Sequence, residues 1–274
     1  HITGFVGKDS EGNDTGYFGI EGMFNRELEG KSGNIIRQKS ARGVPLFFTK
    51  TEKIEAHPGR DIVLTIRRDV QFTLEQKLKK GIEKYGAISG EVVVMDPKTG
   101  NILGMAAFPH YDQQTFYNFP TENQKNPLVA EAYEPGSTFK ALTVAAGIDA
   151  GVVTPDTPCP RCVGPREIAG YELKTWNEVY TPNISIRDGL AKSDNTAMIF
   201  VGEALGRDKF LEYLDRFQIG DPTEIELQED TKTPLKDEWR PIDVATASFG
   251  QGIVTTGMQM TKAVGAIAND GVMM

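Results

Sequence analysis

In the stretch Tyr133-Glu134-Pro135-Gly136-Ser137-Thr138-Phe139-Lys140, a serine hydroxyl and a lysine amine stand three residues apart. On a helix, positions i and i+3 share a face with Cβ atoms roughly 5–6 Å apart, so the lysine stem can bring its amine back toward the serine. A serine hydroxyl is a poor nucleophile at neutral pH and needs a base within hydrogen-bond reach. Lysine can be that base once burial or nearby positive charge lowers its pKa. Phe139, Ala141 and Leu142 would bury the stem of Lys140. Pro135-Gly136 sets Ser137 at a helix start, where free N–H groups and the helix dipole favour developing negative charge. The Ser137 amide is then a natural half of an oxyanion hole. The bland alternative is a helix cap beside a solvated lysine. Ser193-Asp194-Asn195 adds to the case: a second serine can relay a proton to a leaving amine, and an asparagine amide can bond a peptide backbone. The same residues also suit an N-cap, with Asp194 or Asn195 capping a helix that begins near Thr196, and both uses can hold together. The chemistry indicated is acyl transfer through a serine activated by lysine rather than histidine.

The elements that must position these groups can be read from periodicity. Residues 1 to about 57 are polar and broken at Gly12, Gly16, Gly19, Gly22, Gly30 and Gly33, which predicts short strands and turns. His57-Pro58-Gly59 marks a boundary, and Asp61–Ile66 reads as a strand. Val70, Leu74, Leu78, Ile82 and Tyr85 predict an amphipathic helix over 68–85. Glu91–Met95 and Asn101–Ala107 flank Asp96-Pro97-Lys98-Thr99-Gly100, a hairpin signal. The stretch from Tyr111 to Ala132 reads as a loop. Phe139, Leu142, Ala146 and Ala150 continue a helix past Ser137 until Gly151 ends it. Short helices are predicted over Ile184–Lys192, Thr196–Leu205 and Lys209–Phe217, and another over Met258–Ala268. A hairpin followed by clustered helices, without alternating β-α-β units, argues for α+β.

Composition narrows the function. With 274 residues and 39% hydrophobic content, one large core or two modest ones can be buried. Net charge is −8 and the basic residues are scattered, so nucleic acid is not indicated. No apolar run of 18 residues occurs in the sequence. The chain opens on His1, as a fragment or a processed product would. Cys159-Pro160-Arg161-Cys162 could be half a zinc site, a redox pair, a local disulfide or, by default, two free thiols. His1, His57 and His110 lie far apart in sequence, so neither a metal hydrolase nor a Ser-His-Asp triad is supported, and no metal or cofactor is expected.

Ser-x-x-Lys followed by Ser-Asp-Asn is a signature of penicillin-binding proteins and class A β-lactamases. Further stretches are similar to monofunctional class B penicillin-binding proteins: Gly4-Phe5-Val6-Gly7, Gly19-Ile20-Glu21, Leu64-Thr65-Ile66, Asp96 to Ala106, Tyr133 to Ser137, and Ser248-Phe249-Gly250-Gln251-Gly252 with Thr255. The resemblance implies a penicillin-binding, serine β-lactamase-like transpeptidase fold: an antiparallel sheet with helices, an all-helical subdomain, and a small β-rich N-terminal remnant. It implies residues 1–57 as the remnant of a pedestal or dimerisation domain and 58–274 as the transpeptidase domain. It makes Ser137 the acylated nucleophile, Lys140 the base, Ser193 the proton relay and Asn195 a contact to the substrate's peptide amide. The activity implied is cross-linking of peptidoglycan D-Ala-D-Ala stem peptides, with β-lactams trapping Ser137. It also implies a membrane glycosyltransferase and division or elongation proteins as partners, and an N-terminal membrane anchor at the extracytoplasmic face. Two departures stand out: class B members more often carry Ser-Ser-Asn, and Arg67 replaces the usual aspartate after Leu-Thr-Ile.

The family's third element is Lys-Thr-Gly or Lys-Ser-Gly on an edge strand after the second motif, where its lysine binds the substrate carboxylate and its strand supplies the second oxyanion donor. Lys98-Thr99-Gly100 matches by letters, yet it precedes Ser137 and falls in the predicted hairpin turn. None follows Asn195 in these 274 residues. The resemblance therefore implies a chain cut short at both ends, whose acylation by penicillin is slow or absent. Competing readings are a class A-like β-lactamase, with Glu224-Ile225-Glu226-Leu227-Gln228 similar to E-x-x-L-N, a D,D-carboxypeptidase, and a non-catalytic β-lactam sensor or cell-wall scaffold. Asp221-Pro222 and the alternation of Ile225 and Leu227 instead predict a turn and strand.

Overall fold

Short polar segments build the first part of the chain and longer apolar stripes the second, and the computed structural model describes residues 1–36, 42 and 52–274. Its contacts divide it into two units. The first comprises His1–Thr65, His110–Lys125 and Glu226–Glu229. Here β1 (Phe5–Lys8) and β2 (Asp14–Tyr17) pair antiparallel, with Phe5 opposite Tyr17. Asp9 shapes their turn by accepting from the Glu11 and Asn13 amides. Helices α1 (Gly19–Met23) and α2 (Asn25–Leu28) follow, then the antiparallel pair β3 (Asn34–Ile36) and β4 (Glu52–Ile54). Phe5 stacks on Phe116 with ring centroids 4.0 Å apart, supplying the small apolar centre of this unit. The short elements match the glycine-broken pattern; the part of that reading on residues 37–41 and 43–51 lies outside the described residues.

The second unit comprises Ile66–Pro109, Asn126–Ile225 and Asp230–Met274. Helix α3 (Arg68–Tyr85) ends at Gly86, which takes a left-handed φ of 61°. Strands β5 (Gly90–Met95) and β6 (Ile102–Phe108) form the expected hairpin. Helix α3 lies close on this hairpin because Gly104 has no side chain: a Cβ there would come within 3.1 Å of Val70 and Leu74. The edge of β6 is occupied by a side chain, since Gln71 donates to Met105 O at 2.8 Å and accepts from Met105 N at 3.0 Å. Asp61–Ile66 forms no strand. Arg67 N donates to Leu103 O, but the contact does not extend into a ladder, and Val63 is 93% exposed with no face to bury.

Lys98-Thr99-Gly100 is the tip of the hairpin. Asp96 accepts from Lys98 N and Thr99 Oγ1, and the Lys98 amine pairs with Asp270. The stretch predicted as loop before Ser137 includes a short helix, α4 (Pro127–Ala130), begun by Asn126. Helix α5 (Lys140–Asp149) is followed by β7 (Pro158–Cys159), the hairpin β8 (Arg166–Ile168) and β9 (Tyr171–Leu173), and β10 (Ile184–Ser185). Cys159 and Cys162 form a disulfide and are fully buried, so the free-thiol default and the half zinc site are both replaced. Helix α6 (Ile186–Ala191) leads to α7 (Asn195–Arg216), where Gly206 leaves helical geometry at φ 72° between the two helices expected there. Then come α8 (Pro241–Ala247) and α9 (Gly257–Ala268). The predicted strand at Ile225 and Leu227 does not form. The main core gathers Phe139, Leu142, Met198, Ile199, Val201 and Phe249 from α5, α7 and their neighbours. The architecture is α+β, with antiparallel strand pairs and a cluster of helices.

Candidate active site

Pro135 is buried and Gly136 takes a left-handed φ of 55°, which turns the chain into a short 3-10 segment, Gly136–Phe139, that runs directly into α5. Ser137 is exposed in that first turn. Thr138 Oγ1 donates to Pro135 O at 2.7 Å, closing the turn from its side. Phe139 and Lys140 are each 1% exposed. The apolar residues around Lys140 thus bury it, as the sequence suggested.

The Lys140 amine makes three hydrogen bonds: to Ser193 O at 2.7 Å, Ser193 Oγ at 3.0 Å and Asn195 Oδ1 at 2.7 Å. The Lys140–Ser137 bond anticipated from their spacing is not made. An ammonium has three donors, and all three meet acceptors from the Ser193-Asp194-Asn195 loop. Burial lowers the Lys140 pKa to about 8, and the nearby Asp194 carboxylate resists that shift.

The loop itself is tightly specified. Ser193 sits at φ 55°, and its N–H and that of Asp194 donate back to Leu190 O and Gly189 O at the end of α6. Asp194 is 4% exposed and caps α7, accepting from Thr196 N and Thr196 Oγ1 at 2.7 Å and from Ala197 N at 3.2 Å. Capping and a place in the cluster therefore coincide, as the sequence allowed. Asn195 has both ends of its amide engaged: Oδ1 by Lys140, and Nδ2 by donation to Lys174 O at 2.8 Å. Its backbone N–H reaches Thr175 Oγ1 at 3.4 Å. Trp176 Nε1 donates to Lys192 O at 3.3 Å. The segment Lys174–Trp176 was not identified from the sequence. Its contacts use a carbonyl, a hydroxyl and an indole N–H, none of which a motif reveals.

Gly250–Thr255 approaches from the other side. Gly136 N donates to Gly250 O at 2.9 Å, and Tyr133 and Thr255 exchange both backbone bonds at 2.9 Å. Among the described residues, no group of three or more His, Cys, Asp or Glu side chains could hold a metal ion. The arrangement holds an exposed hydroxyl at a helix start three residues from a buried amine of lowered pKa, joined to a second hydroxyl and an amide. Such groups suit acyl transfer.

The penicillin binding protein transpeptidase domain matches residues 90–274, which include every group just described. The chain belongs to the penicillin-binding protein transpeptidase family. It is 31% identical to stage V sporulation protein D of Bacillus subtilis and 28% identical to peptidoglycan D,D-transpeptidase FtsI of Escherichia coli, each over 99% of the chain. Against those proteins it spans 42% and 45% of their length, less than half. Among solved structures, penicillin binding protein 2X from Streptococcus thermophilus superposes with a TM-score of 0.84 at 28% identity, covering 99% of this chain and 41% of that one. Penicillin binding protein 3 from Mycobacterium tuberculosis, complexed with aztreonam, gives a TM-score of 0.81 at 27% identity, covering 99% and 56%. The class B resemblance and the penicillin-binding transpeptidase fold both hold for this family member.

Proposed function

We propose that the protein carrying this chain is a peptidoglycan D,D-transpeptidase, and that Ser137 is its nucleophile. The observation that carries this is the Lys140 amine, buried, lowered to about pKa 8 and bonded to Ser193 and Asn195, three residues from an exposed Ser137. The neutral form of Lys140 has a lone pair where the ammonium had a donor, and rotation about its Cε–Nζ bond can turn that lone pair from the Ser193–Asn195 loop toward Ser137. It can take the Ser137 proton as the hydroxyl oxygen attacks the carbonyl of a D-Ala-D-Ala peptide. The oxygen of that carbonyl becomes negative and is met by the Ser137 N–H at the helix start. The C–N bond then breaks, the proton passes through Lys140 and Ser193 Oγ to the departing amine, and terminal D-alanine leaves. Ser137 is left as an ester, which an amine from a second stem peptide resolves by the reverse steps. Asn195 keeps a second Nδ2 hydrogen beyond the one donated to Lys174 O, and this donor is the one for the substrate's peptide amide. A β-lactam enters by the same attack, and its opened ring stays on the enzyme.

Peptidoglycan stem peptides and β-lactams are the ligands this reading requires. A membrane glycosyltransferase and division or elongation proteins are the partners it suggests, and the extracytoplasmic face of the membrane, reached through an N-terminal anchor, is the place. Among the described residues no helix is long and apolar enough to cross a membrane.

The test is labelling of the intact gene product with a fluorescent penicillin, followed by peptide mapping. The adduct is expected on Ser137 and is lost in Ser137→Ala. An adduct elsewhere, or labelling that survives Ser137→Ala, contradicts the assignment. Incubation with donor and acceptor stem peptides should yield cross-linked product. Release of the acyl group to water alone would identify a carboxypeptidase instead.

A further inference from the structure

The turn that presents Ser137 is registered by residues far away in the chain. Three of the tethers are backbone to backbone: Tyr133 N to Thr255 O, Thr255 N to Tyr133 O, and Gly136 N to Gly250 O, each 2.9 Å. Between them lies a fourth, in which the Glu134 carboxylate Oε1 accepts from Gly252 N at 2.9 Å across 118 residues of sequence. The two backbones are in direct contact here, since a Cβ at Gly250 would stand 2.0 Å from Gly136 O. Glu134 is exposed, and among the described residues it has no ion pair, so its carboxylate is committed to a backbone amide rather than to a cation. On its other side the Gly252 region faces Lys236, which donates to the buried Asp243 at 2.7 Å.

We infer that Glu134 is a positioning residue for Ser137. It is the one side chain among these four tethers, and it sits three residues before the nucleophile. By holding the Gly252 amide it fixes the Pro135–Gly136 turn, and with it the directions of the Ser137 hydroxyl and N–H. Attack geometry tolerates little looseness, and about 1 Å of misplacement costs on the order of 100-fold in rate. The inference rests on the reading of Ser137 as the nucleophile.

Three substitutions separate reach from charge. Glu134→Gln keeps the length and the carbonyl acceptor. Glu134→Asp keeps the charge but withdraws the acceptor by one methylene, and Glu134→Ala removes it. In the intact gene product, penicillin acylation is followed as a function of antibiotic concentration, giving the rate constant of the covalent step and the constant for the preceding complex separately. The covalent step is expected to fall about tenfold or more in Glu134→Ala and Glu134→Asp and to stay within about threefold in Glu134→Gln, with the preceding complex unchanged in all. Normal acylation in Glu134→Ala overturns the inference, as does the inverse order in which Asp is normal and Gln impaired. Should Glu134→Ala not fold, the comparison of Asp with Gln decides alone. If the unmodified protein takes no label at all, it is the transpeptidase reading that fails.

Discussion

Lys140 is 1% exposed, yet each of its three N–H bonds ends on an oxygen of the Ser193–Asn195 loop, so burial and satisfaction act on it together. Burial brings its pKa to about 8, and the Asp194 carboxylate keeps it from falling further. If neutral Lys140 is the base, acylation depends on the deprotonated fraction, about a tenth at pH 7 and about a hundredth at pH 6. The second-order acylation rate should therefore drop about tenfold per pH unit below about 8 and level off above it. Asp194→Asn keeps a side-chain oxygen to cap α7 while removing the charge. Its midpoint should move to lower pH with little loss of stability, measured by stopped-flow acylation across pH 5.5–9.5. A midpoint that stays or rises would show that Asp194 does not act on Lys140 through its charge. Ser137, Lys140, Ser193 and Asn195 could be nominated from the sequence because their types and local spacing are unusual together, and the fold joins Lys140 to Ser193 and Asn195. The bond pattern was not: spacing pointed Lys140 at Ser137, three residues away, whereas its partners lie 53 and 55 residues on. A sequence shows which groups are near along the chain, and the fold decides which acceptor is best.

At the level of elements, helices were the more readable part. Val70, Leu74 and Leu78 repeat with the helical period, and α3 forms where they predict it. Asp61–Ile66 has strand-like composition without forming a strand, because a strand needs a partner edge and composition does not supply one. The Cys159–Cys162 pair shows a similar limit, as C-x-x-C spacing is compatible with a metal, a bridge or two free thiols, and free thiols were the default. The structure places both sulfurs in the main helical core, beside β7, whose pairing with β10 leads into α6 and the Ser193 loop. The bridge closes a short loop, so the chain-entropy estimate of its stabilisation is modest, about 2 kcal/mol. The double variant Cys159→Ala, Cys162→Ala should lower the urea-unfolding free energy by about that amount. An unchanged or increased free energy would mean the bridge adds nothing to the folded state.

For the whole molecule, the family match covers residues 90–274, and the oxyanion donor proposed within them is the Ser137 N–H. The resemblance assigns the second donor and the carboxylate-binding lysine to a Lys-Thr-Gly strand, and no such sequence follows Asn195 in these residues. Lys98-Thr99-Gly100 cannot substitute. Its threonine hydroxyl is spent on Asp96, its lysine pairs with Asp270, and its backbone forms the tip of the β5–β6 turn. Removing one donor from an oxyanion hole costs about 10²–10³ in rate. A polypeptide of residues 1–274 holds one of the two donors that the resemblance assigns, so it should react with a fluorescent penicillin at least about 100-fold more slowly than a polypeptide that also carries the Lys-Thr-Gly strand, with Ser137→Ala as the background. The same polypeptide should still show the lowered Lys140 pKa, because burial and the loop that set it are present within these residues. Isotope-detected titration of the lysine amine would read this directly. Rapid stoichiometric labelling of Ser137 in the 274-residue polypeptide would show that one donor suffices for acylation.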